Sequence, residues 1–163
     1  MRKGRVAFSL ALCATVAIGA PVRADSGIAI SLSVGNEIGP VVAHITKGTC
    51  KVKGSGAHRR FVVTGRSTDD KYLLVLQVSD FAGYGKAYEI HPGMRKPAAF
   101  HLYGPKGLVY SNLAHDPGEV APLLQTGMVG FRHKGGVLRF AAVAPEDEDV
   151  NKGVQLLGAM KCH

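Results

Sequence analysis

Tryptophan is absent from this 163-residue chain, aromatic residues supply only 7% of it, and cysteine occurs three times. No Cys-x-x-Cys pair exists, which removes the arrangement that a dithiol redox site or a thiolate metal site needs. No apolar run approaches the roughly 18 residues of a membrane-spanning helix. A collagen-like period, an internal repeat and an interdomain linker are all missing, so the length fits one domain. Charged residues make up 20% against 46% hydrophobic, and the mean hydropathy is +0.09. A chain of that makeup can bury enough apolar surface to offset its ordering entropy, which excludes a disordered protein.

What is present begins with a leader. Arg2, Lys3 and Arg5 precede an almost uncharged apolar stretch from Val6 to Ala20, and Ala24 supplies a small residue at the expected cleavage position. This is the layout of a secretory signal peptide, and the stretch is too short for a membrane span. Residues 1–24 are therefore read as the leader and 25–163 as a single exported domain, periplasmic or secreted. Removing the leader lowers the formal charge from +8 to +4, because 16 basic residues then face 12 acidic ones. A nucleic-acid partner is not expected at that charge, since no Arg-rich helix or RNP-like aromatic run accompanies it. Cys13 offers a second reading of the leader. Leu10-Ala11-Leu12-Cys13 begins like a lipobox, but Leu12 stands where Gly or Ala would be expected. Loss of Cys13 with the leader is favoured over its lipidation.

Two cysteines then remain, Cys50 and Cys162. An even count in an exported chain predicts a disulfide. Cys50 shares its parity with Val52, and Cys162 shares its own with Val154, Leu156 and Met160. Both sulfurs therefore point to the apolar side of their strands, where they can meet.

Period-two alternation dominates the rest. Ile28, Ile30, Leu32 and Val34 alternate with smaller residues, and extended runs follow at 41–46, 48–54, 60–65, 72–81, 98–103, 108–113, 128–133, 137–143 and 154–162. Gly35-Asn36, Gly54-Ser55-Gly56, Gly104-Pro105-Lys106-Gly107 and Lys134-Gly135-Gly136 punctuate them as turns. Only Glu119–Gln125 has the makeup of a helical turn. About ten short strands at such spacing predict an all-β domain, an antiparallel β-sandwich or flattened barrel, stapled by one disulfide.

Catalytic patterns are thin. Ser111, His115 and Asp116 lie close in sequence, but no Gly-x-Ser-x-Gly elbow exists and triads rarely come from sequence neighbours. Asp69-Asp70 opens a strand rather than facing a second carboxylate across a cleft. Glu146-Asp147-Glu148-Asp149, with Asn151, could offer oxygens to calcium, but it lacks the alternating spacing of a calcium loop and reads better as a solvated acidic loop. His44, His58, His91, His101, His115, His133 and His163 include no pair at ligand spacing, and the His91-Pro-Gly-Met94 and Cys162-His163 groupings do not complete a copper site. No enzyme activity, cofactor or metal is expected.

The basic residues carry more information by position. Lys51 and Lys53 lie on the outward parity of one strand and Arg60 on that of the next, while His58, Arg59 and Arg66 sit at the hairpin ends. Such a stripe could meet anionic lipid or acidic glycan, or another envelope protein. The plainer reading is a solvated face whose Lys and Arg discourage edge pairing.

An early Cys50, a Cys162 at the end of a strand, and the strand–crossover–strand from Phe140 to Cys162 together resemble the mycobacterial 19-kDa lipoprotein antigen type. The likeness is one of layout over about two-thirds of the chain, and it departs at the leader, where that family has a lipobox and a tether. The resemblance implies surface exposure and host-facing adhesion. The sequence thus leads to the expectation of an exported, non-catalytic binding or interaction protein. The alternative is a small-molecule or lipid carrier with Tyr72, Phe81, Tyr84, Tyr88, Phe100, Tyr103 and Tyr110 lining an apolar pocket rather than filling a core.

Overall fold

The computed structural model describes residues 27–34, 37–115, 127–132 and 136–163. Among them run eleven strands: β1 Gly27–Val34, β2 Glu37–Ile45, β3 Lys47–Lys53, β4 Arg60–Arg66, β5 Leu73–Val78, β6 Ala87–Ile90, β7 Ala98–Tyr103, β8 Val109–Ser111, β9 Gly127–Arg132, β10 Val137–Pro145 and β11 Lys152–Cys162. The alternation that predicted them is the alternation that packs them. Phe61 and Val63 of β4, Leu74, Leu76 and Val78 of β5, Phe100 and Leu102 of β7, and Leu138 and Phe140 of β10 all turn inward and are buried. Leader, Cys13, the Gly35-Asn36 turn, Lys134-Gly135 and the Glu119–Gln125 turn lie outside the described residues.

The strands form one curled mixed sheet, and two expectations need correction. The pairing is not wholly antiparallel, and the strand count is eleven rather than about ten. One antiparallel arc runs β3-β4-β5-β7-β8, and a second runs β2-β1-β11-β10-β9-β6. Two narrow parallel seams join them. At one, β11 meets β3 through Lys161↔Lys47 and Cys162↔Gly48; at the other, β6 meets β7 through Ile90↔Ala98 alone. Both seams pair strands far apart in sequence or separated by a loop, so no local pattern announces them. The overlooked strand, β6, is four residues long behind the Gly83 and Gly85 turn, which leaves little room for a period to show. Tyr88 and Ile90 nevertheless turn into the core, both being buried.

The two arcs share one core. Phe100 of the first and Phe140 of the second meet edge to face with ring centroids 5.3 Å apart, a favoured aromatic geometry. Across the β3–β11 seam the disulfide Cys50–Cys162 ties the arcs covalently, with Cα atoms 5.3 Å apart and a sequence separation of 112. His163 N–H donates to the Gly48 carbonyl (2.9 Å), and Lys161 N–H to that of Thr46 (3.1 Å), so the seam is also laced by backbone.

The outer strand β2 shows how the free end of the sheet is managed. It begins at Glu37 rather than at Val41, because Ile38 and Glu37 still pair with Ser33 and Val34 beyond a register shift. Ile38, Val41 and Val42 are exposed on it. A bulge, a charge at its start and Pro40, which brings no N–H, are the usual means of blunting such an edge.

At Gly158 the backbone itself is the packing surface. Its φ is +143°, and a Cβ there would overlap the Gly27 carbonyl oxygen of β1. Only glycine lets β1 approach β11 this closely. Gly158→Ala is expected to cost about 2–4 kcal/mol of folding stability in urea denaturation, through strain and overpacking. Replacing both Cys50 and Cys162 by Ala is expected to cost about 2–4 kcal/mol, since the loop released is long. Thiol titration of protein from an oxidising compartment should find neither sulfur free.

Candidate anion-binding face

The β3–β4 hairpin positions the candidate residues. Gly54 turns the chain at φ +79°, and a single 3-10 turn over Gly56–His58 carries it back, with His58 N–H donating to Ser55 O at 3.1 Å. The register then places Lys53 opposite Arg60 and Lys51 opposite Val62. Lys51, Lys53, His58 and Arg60 are exposed, as the sequence parity implies. Lys51 and Lys53 lie beyond the two residue pairs of the β11 seam, on the stretch of β3 that β11 does not cover.

Arg66 stands apart from this group. It ends β4, six residues from Arg60, so roughly 20 Å of strand separates them. Its neighbour at that end is Lys47, next in register after the Gly48↔Gly65 pair. Lys47 was missed by sequence reading, although it has the same parity as Lys51 and Lys53. The face therefore carries Lys47 and Arg66 at one end and Lys51, Lys53 and Arg60 at the other.

No acidic residue occurs anywhere in β3, β4, β5 or β7. Thr49 and Thr64 fill the exposed outward positions between the two groups of cations, and Gln77 is the exposed outward residue beside Val62 on β5. Neighbouring cations on adjacent strands or two residues apart are separated by about 5–7 Å. That is within the roughly 8 Å screening length of physiological salt, so their fields add. Among the described residues, no carboxylate pairs with Lys47, Lys51, Lys53, Arg60 or Arg66.

Arg59 differs from the isolated outward charge expected of it. Its guanidinium carbon lies 5.7 Å from the Phe81 ring centroid, and its carbonyl accepts the Phe81 N–H at 2.8 Å. It is half-buried. Phe81 in turn stacks on Phe61 at 5.0 Å and on Tyr88 at 5.7 Å. Of the aromatics weighed as a carrier pocket, Tyr72, Phe81, Tyr88, Phe100 and Tyr110 are buried in the common core, whereas Tyr84 and Tyr103 are exposed.

Elsewhere the polar groups serve the fold. Ser111 Oγ donates to Phe100 O (3.1 Å) and accepts from Leu113 N–H (3.0 Å), while His115 Nε2 donates to Glu146 O (2.8 Å). Those two members of the nominal triad are turned to different backbone partners, and Asp116 lies outside the described residues. In the acidic loop Asp149 accepts the Asn151 N–H at 3.0 Å and pairs with Lys152 at 3.1 Å. The Asp149 carboxyl is held below its usual pKa by the Asn151 N–H first and by Lys152 next. Asn112, unremarked in the sequence, is a buried tie. Its Oδ1 accepts Phe100 N–H at 2.9 Å, and its Nδ2 donates to His91 O at 2.7 Å and Met94 O at 3.0 Å. Nothing but its solitary Asn after a strand could have suggested it. Among the described residues no three His, Cys, Asp or Glu side chains gather as a metal site.

Compared with known protein families, curated proteins and solved structures, the chain matches none.

His101, on the outward side of β7, has its pKa lowered, by burial first and by the Arg95 cation next, with Asp147 opposing. It therefore stays neutral further into acid than a free imidazole. Below the ordinary value of 6.5 the unfolded chain binds the proton that the folded chain refuses, so stability falls as pH drops through that window. Between about pH 7.5 and about pH 5.5, wild type should lose more stability in urea denaturation than His101→Gln does.

Proposed function

We propose that this is an exported, non-catalytic binding protein of the bacterial envelope or secretome that docks on anionic surfaces through the outward face of β3 and β4. The observation that carries the reading is the row of Lys47, Lys51, Lys53, Arg60 and Arg66, exposed and unaccompanied by any acid on four strands. Export is supported by the leader pattern of residues 1–24, and the disulfide is compatible with an oxidising compartment. In this reading the two arcs close as a flattened barrel whose stiffness keeps the cations in register. The layout shared with the mycobacterial lipoprotein antigen type agrees with a surface-facing role. A rigid array of cations binds polyanions through summed attraction and speeds their encounter, without needing a catalytic group.

The test pairs stability with binding. Lys51→Gln/Lys53→Gln/Arg60→Gln should change folding stability by only about 0.5 kcal/mol per site or less, because these charges touch no carboxylate. Each basic group contributes roughly 1 kcal/mol at an anionic surface, so the triple variant should bind about a hundredfold more weakly. Wild type should be retained on a sulfated-polysaccharide resin and on phosphatidylglycerol vesicles at low salt and released as salt rises. Failure of wild type to bind either probe at low salt, or equal binding by the variant, overturns the proposal.

A further inference from the structure

The cations of the basic face fall into two groups. Lys47 and Arg66 stand side by side at one end, and Lys51, Lys53 and Arg60 gather at the other, where Lys53 is opposite Arg60. All of them are exposed. Along β3 the step from Lys47 to Lys51 covers roughly 13 Å at the strand rise, and the whole row to Lys53 roughly 20 Å. That gap exceeds the roughly 8 Å screening length of physiological salt, so the groups attract as two sites rather than one. Between them Thr49 lies directly opposite Thr64, and both are exposed on the same face.

The face is long but narrow. On β5 and β7 the outward positions, from Leu73 and Val75 to Ala99 and Tyr103, hold no Lys or Arg. Among these strands the cations are therefore confined to β3 and β4. The hydroxyls of Thr49 and Thr64 can each donate and accept a hydrogen bond. A ligand that suits this pattern is extended, carries negative charges at intervals along its length, and has hydroxyls between them.

We propose that the face takes a linear acidic polysaccharide laid along β3 and β4, its carboxylates or sulfates on the two cation groups and its hydroxyls on Thr49 and Thr64, a ligand class that rests on the anionic-surface reading above. Once one group has gripped such a chain, the second contact is intramolecular, and the gain is lost when the chain is too short to span both. Single-stranded nucleic acid fits less well, because its binders set aromatic rings among the cations for bases to stack on. Here the outward ring of Tyr103 lies on β7, two strands beyond β4. A bilayer also fits less well, since its headgroups spread in two dimensions and this row does not. The projecting loop Gly54-Ser55-Gly56-Ala57-His58 carries no bulky apolar side chain to enter the acyl boundary, which stable interfacial docking uses.

The experiment compares galacturonate oligomers of two lengths by isothermal titration calorimetry at low salt, with oligothymidylate and phosphatidylglycerol vesicles as the other probes. A disaccharide is shorter than the gap and a hexasaccharide longer than the row, so the hexasaccharide should bind on the order of a hundredfold more tightly. Lys47→Gln/Arg66→Gln should remove most of that advantage, while the disaccharide changes little because the other group still takes it. Lys51→Gln/Lys53→Gln/Arg60→Gln should do the same from the opposite end, and it keeps the test intact if the first variant folds poorly. Thr49→Val/Thr64→Val, which preserves charge and branching, should weaken the hexasaccharide severalfold and leave oligothymidylate and vesicles unchanged. Equal affinity for the two lengths, or a length advantage that survives both sets of charge variants, overturns the proposal and leaves the basic face standing. Tighter binding of oligothymidylate than of the hexasaccharide overturns it in favour of nucleic acid, and binding of vesicles alone overturns it in favour of a lipid surface. Equal losses on every probe in the threonine variant also overturn it. Absence of wild-type binding to all of the probes overturns the basic face and the polysaccharide together.

Discussion

The rest of the structure depends on how β11 is held. One of its edges pairs with β10 along nearly its whole length, and the other is shared between β1 and, for two residues, β3. Without that last contact the described strands of the two arcs would pair only at Ile90↔Ala98 and at the isolated Tyr110↔Glu146 bridge. Two backbone pairings are a slender join for sheets of this size. The Cys50–Cys162 bond sits there because hydrogen bonding alone gives the seam little strength, and because the bond restricts the unfolded chain over a long loop. Met160, buried just before the seam, fills the space that Gly48 and Gly65 leave on the facing strands. Small residues on one side and a flexible thioether on the other let the arcs approach without a void.

That arrangement decides what β3 can display. Since β11 covers only its first residues, the remainder of β3 faces solvent along one edge. A strand in that position is a hazard unless charged, and Lys51 and Lys53 remove the hazard. The same two residues open the basic face. Protection of an edge and attraction of an anion therefore call for the same side chains, and their spacing follows from the strand repeat rather than from any special loop. Arg59 alone is held by an aromatic stack, which distinguishes the loop end of the face from the end at Lys47 and Arg66.

Much of this was legible in the sequence, for reasons that also mark where legibility stops. Strands such as 60–66 and 73–78 announce themselves because each buries one side, and a period of two must show. The disulfide was legible because parity places Cys50 and Cys162 inward. The parallel seams were not, since residues 47 and 161 carry no mutual signal. Nor was β6, whose four residues are too few for a pattern. Of the site, the outward charges followed from parity alone, whereas the stacking of Arg59 on Phe81 depends on a loop returning from β5.

The partnership of β1 with β11 carries a consequence for how the domain can be divided and made. Gly27 lies opposite Ala159, so the first described strand pairs with the last. During synthesis β1 and β2 can form a ribbon, yet an isolated two-stranded ribbon is marginal in water. It must wait for more than a hundred further residues before its inner edge is covered. Ile28 and Ile30, wholly buried at the end, remain exposed until then. Long-range pairing of this kind slows folding. For the same reason no cut between β2 and β10 yields an N-terminal piece with its own complete core, and the natural unit of inheritance or engineering is the whole span from Gly27 to Cys162.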